Sequence, residues 1–400
     1  MLDGPQMRIL LVAPFLPHRR APHGGGVYLA ALAESLGRRS QLGLAALMRP
    51  EETQLVADPQ PAWSWQGLLP FAERPPGRGR RRHQLRMLWR WRNQPLVAAK
   101  HWHAELPALL QRARAEFAPD VVLVELAQMA QYLPFLQGVP TILTDHEAGC
   151  PANTTTGLGA FGDRRDQRLW RRYTQRYYPM ASLLQAVTAE DAATLAAQLG
   201  REVLVRPPVF AVPRAPIAPE QAPPRALFLG DYSHHPNREA AATLVRDVFP
   251  LLRAQAPTAE LWLAGPHEDR LHDLAVPPGV RVLGYVPDLG GLFAQVRLLL
   301  APLWSGGGFR MKALAALAHG LPGVTNALGG RGCSARSPAC TIAEGPAALA
   351  AATVALLHSA PLAAEAGRAA FVWARGNLGG EAVAELVMDR AQRLLGVGRR

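Results

Sequence analysis

The sequence predicts an α/β protein of two doubly wound, Rossmann-like domains facing each other across a cleft. Three observations carry this. Short apolar runs alternate with helical patterns as far as Val205, a proline-rich stretch interrupts the pattern, and the same alternation then begins again.

The opening run, Arg8–Ala13 (RILLVA), is apolar without a break after its first residue, as a strand buried on both faces must be. A loop, PFLPHRRAPHGGG, leads into a helical pattern over Val27–Leu36. Further strands are expected at Leu42–Ala46, Val121–Val124, Thr141–Leu143, Leu183–Val187 and Val203–Val205. Helical patterns cover Leu106–Phe117, Arg164–Tyr177 and Ala189–Gln198, with Pro107 tolerable in a first turn. Val209–Pro224 (VFAVPRAPIAPEQAPP) shows no buried periodicity, and its prolines predict a semi-rigid linker. Beyond it, strands are expected at Ala226–Leu229, Glu260–Ala264, Val280–Leu283 and Leu298–Pro302. Helices are expected at Arg238–Leu252, Leu289–Ala294 and Phe309–Ala318. The predicted division is therefore 1–208, a linker over 209–224, 225–372, and a helical tail, 373–400, that packs back on the first domain.

Composition narrows the function classes. No apolar run approaches the roughly 20 residues of a membrane span, and the opening MRILLVAPF is followed by no small-residue cleavage site. Three cysteines, Cys150, Cys333 and Cys340, are too few and odd in number for a disulfide framework, so a reducing cytoplasm is expected. The net charge of +12 favours anionic partners, although abundant Ala, Arg, Gly and Pro together also follow from GC-rich coding. Lys100 and Lys312 are the only lysines. One excursion, Gln66–Lys100, interleaves Arg78, Arg80, Arg81, Arg82, Arg86, Arg90 and Arg92 with Leu85, Met87, Leu88, Trp89 and Trp91. It reads either as a solvated helical excursion or as a peripheral contact with an anionic membrane. No nucleic-acid module accompanies it, and no nucleic-acid partner is expected.

Several motifs fail. Gly24–Gly26 is not G-x-G-x-x-G, Ser305 lacks a G-x-S-x-G elbow, and no Walker A loop is present. Neither His101/His103 nor His234/His235 has the spacing of a zinc site, so neither metal nor cofactor is expected.

The strongest chemical signal is Leu303–Val324 (LWSGGGFRMKALAALAHGLPGV). Gly306, Gly307 and Gly308 run into an alanine-rich helical pattern with Arg310 and Lys312 in its first turn. Cations there oppose the helix dipole, and a bound anion is the simplest compensation.

Four segments in order then resemble the family 4, GT-B-type retaining glycosyltransferases (glycosyl transferases group 1). They are RILLVAPFLP…HGGGVYLAALAESL, AVTAEDAATLAAQLG…VLVRPPV, ALFLGDYSHHPNREA, and GGGFRMKALAALAHGLPGV. The resemblance covers most of the chain. It implies a nucleotide-sugar donor on the second domain and a glycan or lipid-linked acceptor on the first, with transfer by retention and no metal. Arg310 and Lys312 would neutralise the departing diphosphate. Gly306, Gly307 and Gly308, with Gly25 and Gly26 from the first domain, would bring backbone N–H groups to the donor. His146 would orient the reacting sugar, or else be a loop histidine paired with Asp145 or Glu147. Asn237 would contact the donor, or cap the helix from Arg238. One departure matters: Ala315 stands where the family carries a glutamate that holds the donor ribose. The alternative it raises is a catalytically inactive GT-B protein acting as a binding or regulatory subunit.

Overall fold

The computed structural model describes residues 6–58, 61–72, 79–148, 159–305, 311–333 and 340–396; the side chains of 79–83 lie outside the description. The chain divides into two units, 1–209 with 380–400, and 210–379.

The first unit is built on a seven-stranded parallel sheet. Its strands are β1 (Arg8–Ala13), β2 (Gln41–Met48), β3 (Trp65–Pro70), β4 (Val121–Glu125), β5 (Thr141–Asp145), β6 (Leu183–Ala186) and β7 (Leu204–Val205), in the spatial order β3-β2-β1-β4-β5-β6-β7. Ile9 lies opposite Leu42 on one side and Val121 on the other, so β1 is an interior strand, and Ile9 to Ala13 are all buried, as their unbroken apolar run requires. Helices α1 (Gly24–Gly37), α2 (Gly79–Trp91), α3 (Leu96–Lys100), α4 (Leu106–Glu116), α5 (Gly159–Tyr177) and α6 (Ala189–Leu199) connect the strands. Leu10, Val12, Val122 and Val124 pack with Leu106, Leu110, Tyr132 and Trp170 in its core.

The second unit holds a six-stranded parallel sheet. The strands β8 (Arg225–Leu229), β9 (Glu260–Ala264), β10 (Val280–Gly284), β11 (Leu298–Leu300), β12 (Gly323–Thr325) and β13 (Cys340–Ile342) lie in the order β10-β9-β8-β11-β12-β13. Helix α7 (His235–Thr243) passes through a π-turn, Leu244–Val248, into α8 (Phe249–Gln255). Then come α9 (Leu289–Phe293), α10 (Met311–Ala318), α11 (Gly345–His358) and α12 (Ala360–Asn377). At the ends of β8 and β9 the two backbones nearly touch. A Cβ on Gly265, whose φ is +137°, would overlap the carbonyl oxygen of Gly230. The last helix, α13 (Gly380–Leu394), returns to the first unit and packs on α1, where Glu381 pairs with Arg38 and Arg39.

Four expectations need correction. The stretch 66–100 is not one excursion: its start forms β3, paired with β2, before α2 and α3 begin. β3 (WQGLLP) is interrupted by Gln66 and Gly67 and ends in a proline, so it shows neither an unbroken apolar run nor a clean alternation. The stretch 209–224 is not a free linker. Val209 and Ala222 are buried, Ile217 N donates to the His319 carbonyl at 2.9 Å, and Pro219 packs beneath Gly367. Proline fixes that segment in an extended form whose contacts follow neither helix nor strand period. The tail crosses back at Gly380 rather than at residue 373, because Phe371 and Ala374 are core residues of the second unit on the unbroken helix α12. Finally, the helix expected from Arg238 begins at His235, so Asn237 sits inside the first turn and is not its cap.

Candidate functional site

In open parallel sheets, ligands bind beyond the C-terminal ends of the strands, where the strand order reverses. That point is β1/β4 in the first unit and β8/β11 in the second. Every sequence-predicted site residue within the described structure lies near one of these points.

In the first unit, the loop after β1 is held by a buried carboxylate. Glu52, with no exposed surface, accepts from Arg49 N at 2.8 Å and faces His23 Nε2 at 2.8 Å. His23 Nδ1 accepts from Gly26 N at 3.0 Å, capping α1. An Nδ1 that accepts leaves the proton on Nε2, which therefore donates to Glu52. The Gly26 N–H is thus occupied by His23, while those of Gly24 and Gly25 lie in a first turn where the helix offers no acceptor. Glycine at these positions also has a packing reason. A Cβ on Gly25 would come 2.6 Å from Phe15 Cζ, and one on Gly26 would overlap Ala21 and approach the Leu16 carbonyl.

The C-terminal end of β4 carries Glu125, buried beside Arg206. Arg206 Nη2 donates to both its oxygens, Thr144 Oγ1 donates at 3.2 Å, and His146 Nε2 lies 3.1 Å from Oε2. Burial alone would raise the Glu125 pKa. Arg206, then His146 and Thr144, hold it below the ordinary carboxylate value. His146 therefore pairs with Glu125, not with Asp145 or Glu147. Its ring also meets Tyr28 edge-on, 5.4 Å between centroids, and the side chain keeps about a fifth of its surface open. Asp145 is buried against the Tyr178 hydroxyl and its pKa is raised, chiefly by burial. Glu147 remains accessible to solvent yet crowded by protein. That desolvation, with the charges of Asp145 and Asp191, pushes its pKa up to about 7.

In the second unit, the loop after β8 is organised by Asp231. Its Oδ1 accepts from Ser233 N at 2.9 Å and Ser233 Oγ at 2.7 Å, with His267 Nδ1 2.9 Å away. Asn237 Nδ2 donates to the Asp231 carbonyl at 2.7 Å, so Asn237 braces this loop from the first turn of α7. In the loop that follows β11, Ser305 donates to Glu239 of α7. Gly306, Gly307, Gly308 and Arg310 lie outside the described residues. Lys312 follows in the first turn of α10, half-buried, with no ion pair among the described residues. Burial lowers its pKa to about 8, against the opposing pull of Asp231. A half-buried ammonium without a salt-bridge partner is suited to an anionic ligand. Ala315 is one turn further on, its carbonyl accepting from His319 Nδ1 at 2.8 Å, and supplies no carboxylate.

Residues 223–359 match the family model for glycosyl transferases group 1. Solved structures match the whole chain. Sucrose-phosphate synthase from Thermosynechococcus elongatus superposes with a TM-score of 0.67 at 15% identity, covering 98% of this chain and 100% of its own. The fold is GT-B. Two other GT-B structures agree. Anabaena HepE in complex with UDP gives 0.64 at 15% identity, covering 97% of this chain and 100% of its own. A glycosyltransferase from Rickettsia africae gives 0.64 at 11% identity, covering 98% and 100%. No curated protein matches the sequence significantly. Within this GT-B chain, the matched family segment contains Asp231, Asn237, Glu239, Lys312 and Ala315.

Sequence reasoning missed Glu125, Arg206, Glu52, His23 and Glu239. Glu125 had a signal, a lone acid closing the apolar run VVLVE. The others are joined to partners at least 29 residues away in the chain, although His23 and Glu52 also make local bonds to Gly26 N and Arg49 N.

Proposed function

We propose that the protein is a glycosyltransferase. It moves a sugar from a nucleotide-sugar donor to a glycan or lipid-linked acceptor, with retention of anomeric configuration and without a metal ion. The observation that carries the reading is Lys312, a half-buried lysine with no ion pair among the described residues, in the segment that matches the glycosyltransferase family. The similar HepE structures hold UDP or UDP-glucose, which supports a nucleoside diphosphate sugar as donor.

In this reading Lys312 and Arg310 meet the diphosphate, with Gly306, Gly307 and Gly308 admitting it close to the backbone. As the anomeric bond breaks, negative charge grows on the phosphate oxygens, and fixed cations stabilise it without reorganising. His146 contacts the sugar through the ring nitrogen that Glu125 does not hold. Glu125 keeps the Nε2 proton in place, so Nδ1 is the face offered to substrate. Gly25 and Asn237 contribute backbone and loop order, and the acceptor belongs to the first unit. The setting is cytoplasmic.

Calorimetric titration with UDP-, GDP- and ADP-sugars tests the proposal; a folded protein that binds none of them would refute it. Ala315 supports a second reading, an inactive binding subunit. Ala315→Glu separates the two: activity that appears only in this variant favours the inactive subunit, and activity already present in the wild type removes it.

A further inference from the structure

Two helices of the first unit expose groups that the proposed chemistry does not use. On α2, Leu85 is 68% exposed, Leu88 47% and Trp89 65%, an i, i+3, i+4 set on one helix face. Such a face in a folded domain is normally turned to the core. On α5, Phe161 is 77% exposed. It lines a surface pocket with Arg164, Arg165 and Arg168.

The two helices are joined. Trp91 Nε1 of α2 donates to Asp166 Oδ1 of α5 at 2.9 Å, and the Arg165 guanidinium lies 4.9 Å from the centre of the Trp91 ring. Trp91 is one turn beyond Leu88, and Arg165 is one turn beyond Phe161, so the exposed groups of each helix lie within a turn or two of this stack. Around them Arg86, Arg92, Arg164, Arg168, Arg171 and Arg172 are exposed, and none forms an ion pair with a described residue. The acids of α5 are Asp163 and Asp166, and the latter is buried beneath Trp91 and the Leu96 N–H.

We propose that α2 and α5 together form a docking surface for an anionic lipid bilayer. Trp89, Leu85, Leu88 and Phe161 would enter the interface, while the arginine-lined pocket beside Phe161 would take a lipid phosphate. Charge complementarity selects this occupant: arginines draw the surface to anionic headgroups, and tryptophan and phenylalanine settle at the boundary of the acyl chains. Two weak signals in combination give stable yet reversible attachment. Among the described residues no single helix is long and apolar enough to cross a membrane, so contact would be from one side. The inference is independent of the glycosyl-transfer reading.

Co-sedimentation of the full chain tests it, using vesicles of phosphatidylcholine alone and of an equal mixture with phosphatidylglycerol. Binding is expected to the mixed vesicles and not to the neutral ones, and to be lost at high salt. Arg164→Ala with Arg168→Ala should weaken partitioning roughly tenfold or more. Trp89→Ala should weaken it severalfold and Trp89→Phe should restore it, whereas Arg246→Ala in the second unit should have no effect. Equal binding to both vesicle types would overturn the proposal, as would equal losses in the Arg246 and Arg164/Arg168 variants. Tighter binding of a homopolymeric RNA than of the mixed vesicles would also overturn it, in favour of a nucleic-acid surface.

Discussion

One guanidinium nitrogen of Arg206, Nη2, donates to both carboxylate oxygens of Glu125, at 3.0 and 2.8 Å, and both side chains are buried. The pair lies at the sheet's reversal point and holds His146 from behind. A buried ion pair is a poor source of stability compared with apolar packing, but losing one partner strands the other. Glu125→Gln should therefore destabilise the protein by about 3–5 kcal/mol. Glu125→Gln combined with Arg206→Met should fall well short of the sum of the single changes. Urea denaturation of the four proteins checks this.

The same carboxylate sets a pH dependence. Glu125 is held below its unfolded value of 4.5. The stability it contributes is thus complete above that value and is lost as pH falls through the folded pKa. Acid unfolding should be shallower below pH 4.5 in Glu125→Gln than in the wild type. Equal slopes would show that Glu125 is not charged in the folded protein.

His146 should be needed for turnover and not for nucleotide binding. His146→Ala is expected to lower kcat by about 10²- to 10⁴-fold, the range for a positioned acid–base or hydrogen-bonding side chain. Affinity for the nucleoside diphosphate, measured by calorimetry, should stay within a factor of two or so of wild type, since the proposed diphosphate contact, Lys312, belongs to the other unit.

The proposed role of Lys312 predicts a characteristic pH profile for nucleotide binding. Its pKa near 8 in the free protein means that a diphosphate, which binds the ammonium form, must recruit a proton above that pH. Affinity should be flat below pH 8 and weaken up to about tenfold per unit above it. Lys312→Arg should remove the pH dependence, and Lys312→Ala should both flatten and weaken binding.

Gly26→Ala tests whether the first-domain glycines serve packing. The added methyl would overlap Ala21 and approach the Leu16 carbonyl at 3.1 Å. A loss of about 1–3 kcal/mol is expected from overpacking, read as a lower midpoint in thermal unfolding. A variant as stable as wild type would leave ligand approach as the reason for glycine.

The strands of both sheets were largely legible because a parallel sheet covered on both faces demands unbroken apolar runs, as in RILLVA and VVLVE. The exceptions were β3, whose run WQGLLP is broken by Gln66 and Gly67, and β12 and β13, three residues each with glycine, threonine or cysteine among them. The glycines before Arg310 and Lys312 stand out as a local pattern, but of that segment only Lys312 lies within the described residues. The site was illegible where one side chain acts through another. His146 could be picked out, but its partner was expected one residue away and lies 21 residues away on β4. The glycines Gly25 and Gly26 were visible, but the cap that His23 provides under the control of Glu52 was not.

The central claim is transfer from a nucleotide sugar, and release of nucleoside diphosphate from a donor tests it most directly. Incubation with UDP-, GDP- and ADP-glucose should liberate the diphosphate from at least one donor. Lys312→Ala should slow that release by two orders of magnitude or more while the protein stays folded. No release from any donor, or equal release by wild type and Lys312→Ala, would contradict the account.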